Sequence, residues 1–160
     1  MKINNLNAME ITQLDQAGLN LIKQFEGCIL HPYLDQVGIP TIGFGQTYYP
    51  ATGKKVTMQD PAITQQQADD MFLVMLKPYE LAVYSTTRDD ITQNNFNALV
   101  SLTYNIGTAG YKTSTVHRLV NEGISDERLQ AAFLMWNKAG GKVNQGLVNR
   151  RKKEYQVYIS

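Results

Sequence analysis

A segment rich in glycine and proline, residues 31–58, most constrains the fold of this chain because it lies between stretches of helical pattern. Its turn-forming residues are Pro32, Gly38, Pro40, Gly43, Gly45, Pro50 and Gly53. Its strand-favouring residues are interleaved with them: Tyr33, Val37, Ile39, Ile42, Phe44, Tyr48 and Tyr49. This interleaving predicts two or three short strands joined by tight turns. Since an isolated hairpin is marginally stable in water, we expect this one to pack against helices.

The residues before this segment predict one helix. Apolar residues within 14–25 recur at helical spacing, and either Thr12 or Asp15 can cap the start. The helix is expected to run to about Glu26, which then lies on its last turn. Gly27 supplies the left-handed residue that often ends a helix.

The residues after the segment predict only helices. Thr64 and Gln67 form a capping box at the start of a long helix near 64–88, which Pro78 is expected to kink or break. Ser125 is expected to cap a later helix. The helices predicted after the long one cover about 92–107, 114–121, 125–136 and 146–158.

This order predicts an α+β fold, in which a small antiparallel β-hairpin lobe and a larger helical lobe are joined by a long helix, with a cleft between the lobes. A chain of 160 residues fits a single domain. Within it we expect a lead-in arm at 1–11, the first helix with the β lobe at 12–63, and the linking helix with the helical lobe at 64–160.

Charge and cysteine content argue against several function classes. The formal net charge is +1, so no global field predicts nucleic-acid binding. Basic residues gather near the C-terminus, which suits a polyanionic surface but more often marks a solvated helix face. The single cysteine, Cys28, precludes an intrachain disulfide. No cysteine or carboxylate stands at metal-ligand spacing to His31 or His117, so no metal site is predicted.

No apolar run approaches the roughly 20 residues that a membrane span needs. The first residues, 1–20, lack the charged-then-apolar pattern of a signal peptide. We therefore expect no membrane insertion, and delivery by another protein if the substrate lies outside the cytosol.

Two carboxylic acids and a hydroxyl stand close together in the sequence. Glu26 ends the first predicted helix, and Asp35 and Thr41 follow in the hairpin. Hydrolysis of an acetal or glycoside needs one carboxyl group to protonate the leaving oxygen and another to handle a water or a cation. A plainer interpretation also fits, because such a Glu is often a solvated neighbour of a helix end and such an Asp is often a turn residue. Chemistry alone leaves both interpretations open.

Several separated motifs resemble one family along nearly the whole chain, over about 16–158. The N-terminal motifs are Leu21-Ile-Lys-x-Phe-Glu26-Gly and Tyr33-x-Asp35-x-x-Gly38-x-x-Thr41-Ile-Gly43-x-Gly45. The later motifs are Ala98-Leu-Val-Ser-Leu-Thr-Tyr104-Asn105-Ile-Gly107, Ser114-Thr115, Trp136, Gly140-Gly141-Lys142 and Gly146-Leu147-x-x-Arg150-Arg151-x-x-Glu154. In this order they resemble the phage-type lysozymes, the T-even endolysin family of glycoside hydrolases.

This resemblance implies hydrolysis of the β-1,4 bond between N-acetylmuramic acid and N-acetylglucosamine in peptidoglycan, with inversion at the anomeric carbon. It implies that Glu26 is the general acid. Asp35 would orient the attacking water or stabilise the oxocarbenium-like charge, and Thr41 would help to hold that water. Either Arg150 or Arg151 would pair with Glu26 and fix its side chain.

The resemblance also implies a saccharide cleft lined by Tyr104, Asn105, Ser114 and Gln130. Tyr104 could lie against a sugar face or be a core aromatic residue, and Asn105 offers both a donor and an acceptor. No metal or organic cofactor is implied. The protein would be a bacteriolytic monomer, released from the host cytoplasm by a separate membrane-permeabilising protein. Its partner would be bacterial peptidoglycan, not nucleic acid.

Two features depart from the family pattern. Gln46 stands where the family usually has a histidine, so we expect the loss of an ion pair rather than of activity. The hairpin is longer by the segment Thr47–Lys55, which could alter the wall fragments that fit the cleft.

Two alternative functions compete with hydrolysis. Non-hydrolytic cleavage of the same bond yields an anhydro-sugar and has no need of Asp35 and Thr41. A module that binds wall glycan without cutting it would suit the basic C-terminal helix but would leave the catalytic residues unexplained. Whether the activity serves phage lysis, a phage tail or a secreted effector stays open at this level.

Overall fold

The computed structural model describes residues 10–160, so most of the predicted lead-in arm, 1–11, lies outside the described residues. The helices are α1 (Gln16–Lys23), α2 (Gln65–Thr86), α3 (Gln93–Ile106), α4 (Thr108–Thr113), α5 (Thr115–Asn121), α6 (Glu127–Leu134) and α7 (Gln145–Tyr158). The strands are β1 (Ile29–Leu34), β2 (Pro40–Gly43), β3 (Lys138–Ala139) and β4 (Lys142–Val143). The four strands form two small antiparallel sheets, and together with the seven helices of the described residues they confirm the predicted α+β class.

The chain forms two compact units. The hairpin unit comprises Lys23–Lys77 and carries β1, β2 and the first part of α2. The helical unit combines the described part of Met1–Ile22 with Pro78–Ser160. Nearly all of α1 thus groups with the later helices, whereas the sequence prediction grouped 12–63 with the β lobe. The assignment of 1–160 to one catalytic domain stays a prediction.

A pair of stacked aromatic rings joins β2 and α2 within the hairpin unit. Strands β1 and β2 are antiparallel, with Tyr33 opposite Thr41. Phe44, directly after β2, stacks on Phe72 of α2 with ring centroids 4.5 Å apart. Phe72 and Ile42 are fully buried. The hairpin therefore packs against a helix, as the marginal stability of an isolated hairpin requires.

Helix α3 is the buried centre of the helical unit. Every residue from Phe96 to Thr103 is buried, and Thr92 caps the start of the helix through a capping box. α3 packs against α7, which also packs against α6. The ring of Phe133 on α6 lies 6.2 Å from the rings of Tyr155 and Tyr158 on α7. These apolar contacts form the core expected from the helical spacing of the sequence.

The first helix is shorter than predicted. Asp15 provides the cap, because its Oδ1 accepts a hydrogen bond from the backbone N–H of Gly18 at 2.9 Å. The helix ends at Lys23, and the backbone N–H of Glu26 donates to the carbonyl of Lys23 at 3.1 Å in a tight turn. Glu26 therefore lies beyond the last helical turn, and Gly27 does not have the positive φ that was predicted for it.

Of two predictions for the later helices, the cap at Ser125 is wrong, while a kink at Pro78 stays a prediction. α2 continues through Pro78 without a break. Pro78 and Val74 are both exposed, so solvent can satisfy the carbonyl that proline leaves without a donor. Asp126, not Ser125, caps α6, with its side chain accepting from the backbone N–H of Arg128. An aspartate at this position also complements the helix dipole.

The C-terminal third contains three elements that the sequence pattern did not predict. The expected turn at Gly140-Gly141 is present, with positive φ at both glycines, and it connects β3 to β4. α4 begins directly after Gly107, which ends α3. Two-residue strands and a single-turn helix are too short to produce a recognisable periodicity.

Candidate active site

The three candidate catalytic residues all lie in the hairpin unit. Glu26 stands in the bend between α1 and β1 and is half-buried. Asp35 directly follows β1 and is also half-buried, whereas Thr41 lies within β2 and is buried. One antiparallel hairpin therefore carries Asp35 and Thr41, and the connection that leads into it carries Glu26.

Two backbone amides hold the carboxylate of Asp35. Its Oδ1 accepts hydrogen bonds from the backbone N–H groups of Val37 and Ile39, each at 2.9 Å. The turn is closed by hydrogen bonds from Gly38 N to Asp35 O and from Asp35 N to Ile39 O, each at 3.0 Å. Gly38 has a φ of 83°, which favours glycine. Within residues 10–160 both bonds to the carboxylate fall on Oδ1, so Oδ2 keeps its lone pairs for another ligand.

The hydroxyl of Thr41 is fixed by the same turn. Thr41 Oγ1 donates its only proton to the carbonyl of Ile39 at 2.8 Å. A hydroxyl has one proton and two lone pairs, so toward any further group Thr41 acts as an acceptor. The peptide groups of Ile39 thus contact both candidate residues, since its N–H bonds Asp35 and its carbonyl bonds Thr41.

Gln46 stabilises the tight turn that follows β2. Its Oε1 accepts from the backbone N–H of Phe44 at 2.9 Å, and its backbone exchanges two hydrogen bonds of 2.9 Å with Ile42. Gly43 has a φ of 67°, and a Cβ added there would lie 2.8 Å from Oε1 of Gln46. The one described hydrogen bond of this side chain therefore lies within the turn itself, and its buried Nε2 has no hydrogen-bond partner among the described residues.

The longer hairpin segment, Thr47–Lys55, is anchored by a carboxylate that lies after it. Asp60 accepts hydrogen bonds from the backbone N–H of Thr57 at 2.9 Å, from Thr57 Oγ1 at 2.8 Å and from the hydroxyl of Tyr49 at 2.9 Å. The hydrogen bonds from Thr57, with the backbone N–H foremost, lower the pKa of Asp60. Burial and the bond to Asp60 raise the pKa of Tyr49.

The candidate saccharide contacts lie in the helical unit. Tyr104 is half-buried, and its ring meets that of Tyr79 edge-on at a centroid distance of 5.1 Å. Asn105 is exposed, and its Oδ1 accepts a hydrogen bond from Nη2 of Arg151. Gln130 is half-buried on α6. Exposure leaves the amide nitrogen of Asn105 available to a sugar hydroxyl.

Ser114 serves as the N-cap of α5. Its Oγ accepts from the backbone N–H of His117 at 3.0 Å and donates to the carbonyl of Tyr111 at 2.7 Å. The proton and one lone pair of the hydroxyl are therefore used within the fold. A contact between Ser114 and a saccharide stays a prediction.

A buried ionic cluster joins α3 and α7. Glu154 Oε1 accepts from Arg150 Nε at 3.0 Å and from Ser101 Oγ at 2.7 Å, while Glu154 Oε2 lies 3.3 Å from Arg151 Nε. Arg150 Nη2 also donates to the carbonyl of Ser101 at 3.2 Å. Glu154 and Arg151 are fully buried. Burial raises the pKa of Glu154, an effect that the two guanidinium groups oppose, and burial lowers the pKa of Arg151.

Glu154 stands in one of the family motifs but had no predicted role. The available signal was its spacing, because it lies one helical turn after both Arg150 and Arg151. Its contact with Ser101 is long-range and could not be read from that spacing. The predicted pairing of Arg150 or Arg151 with Glu26 stays a prediction.

Possible metal ligands, membrane helices and the single cysteine complete the description of residues 10–160. Among residues 10–160, no three His, Cys, Asp or Glu side chains come together as metal ligands. Over the same residues, no helix is both long and apolar enough to cross a membrane. Cys28 is half-buried, and its Sγ lies 3.8 Å from Nε2 of Gln65.

The comparisons with known proteins agree with the α+β fold and with the position of the hairpin. Residues 23–154 match the phage lysozyme family, and this span includes Glu26, Asp35 and Thr41. The chain therefore belongs to the phage lysozyme family. The solved structure of a point mutant of P22 lysozyme is 33% identical and superposes with a TM-score of 0.83, covering 94% of this chain and 100% of that one. The predicted lysozyme-like fold is confirmed.

Two curated relatives differ in the share of their length that this chain covers. The endolysin of Bacillus phage PZA is 39% identical over 153 residues, which cover 92% of this chain and 55% of that protein. The endolysin of Salmonella phage P22 is 36% identical over 149 residues, which cover 92% of this chain and 99% of that protein. The chain thus spans about half the length of the first relative and almost all of the second.

Proposed function

We propose that this protein is an endolysin, a peptidoglycan hydrolase that cleaves the β-1,4 bond between N-acetylmuramic acid and N-acetylglucosamine with inversion of the anomeric carbon. Family membership supports the substrate class, because the matched relatives are named endolysins. The observation that carries the proposal is the shared orientation of Asp35 and Thr41 by one hairpin turn.

Each of the three residues has a separate task in this proposal. Glu26 protonates the glycosidic oxygen as the bond to the anomeric carbon breaks. Asp35 receives a proton from the attacking water, and Thr41 accepts a hydrogen bond from that water. The water adds to the face of the sugar opposite the leaving group, which inverts the configuration.

We also propose that Tyr104, Asn105, Ser114 and Gln130 contact the glycan. Truncation of Tyr104 or Asn105 to alanine is expected to raise KM more than it lowers kcat, because these contacts would bind substrate and transition state alike. Ser114→Gly is the suitable variant at the helix cap, since glycine is nearly as good a cap as serine. An unchanged KM in all of these variants would argue against the assignment.

We also propose that either Arg150 or Arg151 pairs with Glu26 and fixes the orientation of its side chain. Replacement by lysine retains the positive charge but loses the planar fork of donors. The arginine whose lysine variant changes the pH profile of kcat is the partner of Glu26. A profile unchanged in both variants would argue against any such partner.

The proposed setting is lysis of the host wall by a monomer that a separate membrane-permeabilising protein releases. Expression in bacteria should then leave cells intact until a permeabilising agent is added, whereupon turbidity falls. Spontaneous lysis without the agent would contradict this route, and sedimentation of the purified protein as a dimer would contradict the monomer.

Analysis of the cleavage products tests the proposed reaction. Purified peptidoglycan is digested with the wild-type protein, and Glu26→Gln serves as the inactive control. Mass spectrometry should find hydrated reducing ends, and NMR during the first turnovers should find the α-anomer before mutarotation. Anhydro-muramyl ends would indicate the non-hydrolytic reaction, the β-anomer would indicate retention, and glycan binding with no new ends would indicate a binding module.

A further inference from the structure

We propose that the backbone of Ile39 is a positioning element that orients Asp35 and Thr41 toward a single water molecule. The inference rests on the proposed function of these two residues and extends it to a residue whose own side chain takes no part in the chemistry. It is carried by hydrogen bonds that lie entirely within the hairpin unit.

The N–H of Ile39 determines which oxygen of Asp35 can react. Together with the N–H of Val37, it binds Oδ1 at 2.9 Å and so fixes the rotation of the carboxylate. Hydrogen bonds to an ionised acceptor are among the stronger ones in proteins. With Oδ1 occupied by two donors, Oδ2 is the oxygen that accepts a proton from water.

The carbonyl of Ile39 determines whether the Thr41 hydroxyl donates or accepts a hydrogen bond toward a bound water. It accepts the only proton of Thr41 Oγ1 at 2.8 Å, and it also accepts the N–H of Asp35 at 3.0 Å. Thr41 therefore offers a lone pair, not a proton, to a bound water. Without this bond the Thr41 hydroxyl could donate to the water, and a lone pair of the water would then point toward Thr41 and not toward the sugar.

The resulting arrangement leaves the water correctly directed for attack. The water donates one proton to Oδ2 of Asp35 and the other to Oγ1 of Thr41, so a lone pair is free for the anomeric carbon. As the new carbon–oxygen bond forms, the O–H bond toward Asp35 breaks and that proton passes to Oδ2. The bond to the leaving oxygen breaks with the proton supplied by Glu26, so Glu26 ends ionised and Asp35 ends protonated. Solvent exchange then restores both groups.

The side chains of this turn are not required for the proposed role. Ile39 is 46% exposed and Val37 is 78% exposed. A side-chain substitution at Ile39 keeps both the N–H and the carbonyl. The chemistry of the position therefore resides in the backbone, which an ordinary side-chain substitution does not test.

Amide-to-ester replacement in the full-length protein tests the inference. Replacing Ile39 by its α-hydroxy acid removes the N–H that binds Asp35 Oδ1 and keeps the side chain. The matched control is the same replacement at Gly38, whose N–H binds the backbone carbonyl of Asp35 in the same turn. We expect the Ile39 ester to lower kcat roughly 10- to 100-fold with little change in KM, because small misplacements of reacting groups cost rates of that order. The Gly38 ester should lower kcat far less.

Three further results separate the inference from the proposed function. Melting curves should show similar stabilities for the two esters, so that a difference in kcat reports on position and not on folding. Equal losses of kcat in both esters, or none in either, would overturn the inference while leaving the proposed function intact if Asp35→Asn is inactive. Wild-type activity in Asp35→Asn would overturn the proposed function, and the inference with it.

Discussion

Two carboxylates in this protein are held in opposite ways. Asp35 is half-buried and is bound on one oxygen by two backbone amides of a tight turn. Glu154 is fully buried and is surrounded by two arginines and the hydroxyl of Ser101. The first arrangement fixes an orientation and leaves one oxygen of a half-buried carboxylate without a described hydrogen bond, whereas the second holds a fully buried carboxylate beside two guanidinium groups, with hydrogen bonds on Oε1 and an ion contact at Oε2. A half-buried carboxylate with one oxygen available to a ligand suits catalysis, whereas a fully buried carboxylate paired with arginine suits a structural role.

Of the two carboxylates, Asp35 should matter more for activity, and Asp35→Asn tests this. The amide oxygen can still accept from the amides of Val37 and Ile39, so the hairpin should keep its stability. The amide nitrogen cannot receive a proton from water, so kcat should fall by roughly 10²- to 10⁴-fold. Asp70→Asn, on an exposed part of α2, is the matched control and should retain activity. A reducing-end assay measures kcat, and parallel melting curves measure stability. Equal activity of Asp35→Asn and Asp70→Asn would show that Asp35 has no special role in catalysis.

The largest expected effect on stability comes from Glu154→Gln. This change removes the carboxylate charge that lies 3.3 Å from Nε of the fully buried Arg151, and breaking such a buried ion pair typically costs about 3–5 kcal/mol of unfolding free energy. The same substitution at Glu122, which forms an exposed pair with Arg118, should cost within about 0.5 kcal/mol. Urea unfolding compares the two variants. Similar losses of unfolding free energy in the two variants would show that the buried cluster contributes no more to stability than an exposed ion pair.

The hairpin unit should lose stability on acidification through Asp60. The pKa of Asp60 is lowered below the ordinary value of 3.8, so its contribution to stability is present above that pH and is lost as the pH falls through the folded-state pKa. The stability difference between wild type and Asp60→Asn should therefore shrink on acidification below about 4. Unfolding measured across pH 2–6 would contradict this if the Asp60 difference grew on acidification.

A smaller effect is expected at the glycine of the Asp35 turn. Gly38 has a φ of 83°, although a Cβ there would meet no atom within 4 Å. Gly38→Ala should therefore cost about 1 kcal/mol through backbone strain alone. Gly38→Asn should cost less, because asparagine tolerates the left-handed region better. Thermal unfolding of both variants checks the ranking, and an alanine variant as stable as wild type would show that the turn relaxes freely.

The sequence predicted the parts of this fold that depend on local pattern. The capping box of Thr64 and Gln67 is present, since each side chain bonds the backbone N–H of the other residue. Asp35 and Thr41 were identified as candidates through the resemblance to the phage-type lysozymes, whereas their spacing alone left the catalytic and the structural interpretation open. The partners of Glu154 were not identified, because Ser101 lies on a different helix. The role of the Ile39 backbone was also hidden, since an exposed aliphatic residue gives no chemical signal in a sequence.

Reducing-end release from purified peptidoglycan by wild type and Glu26→Gln tests the proposed function most directly. The substitution removes the proton that the leaving oxygen needs and keeps the size of the side chain. We expect wild type to generate reducing ends steadily and Glu26→Gln to lose nearly all of this activity, with melting curves that show a folded protein in both cases. Release at the wild-type rate by folded Glu26→Gln would contradict the assignment of Glu26 and the mechanism built on it.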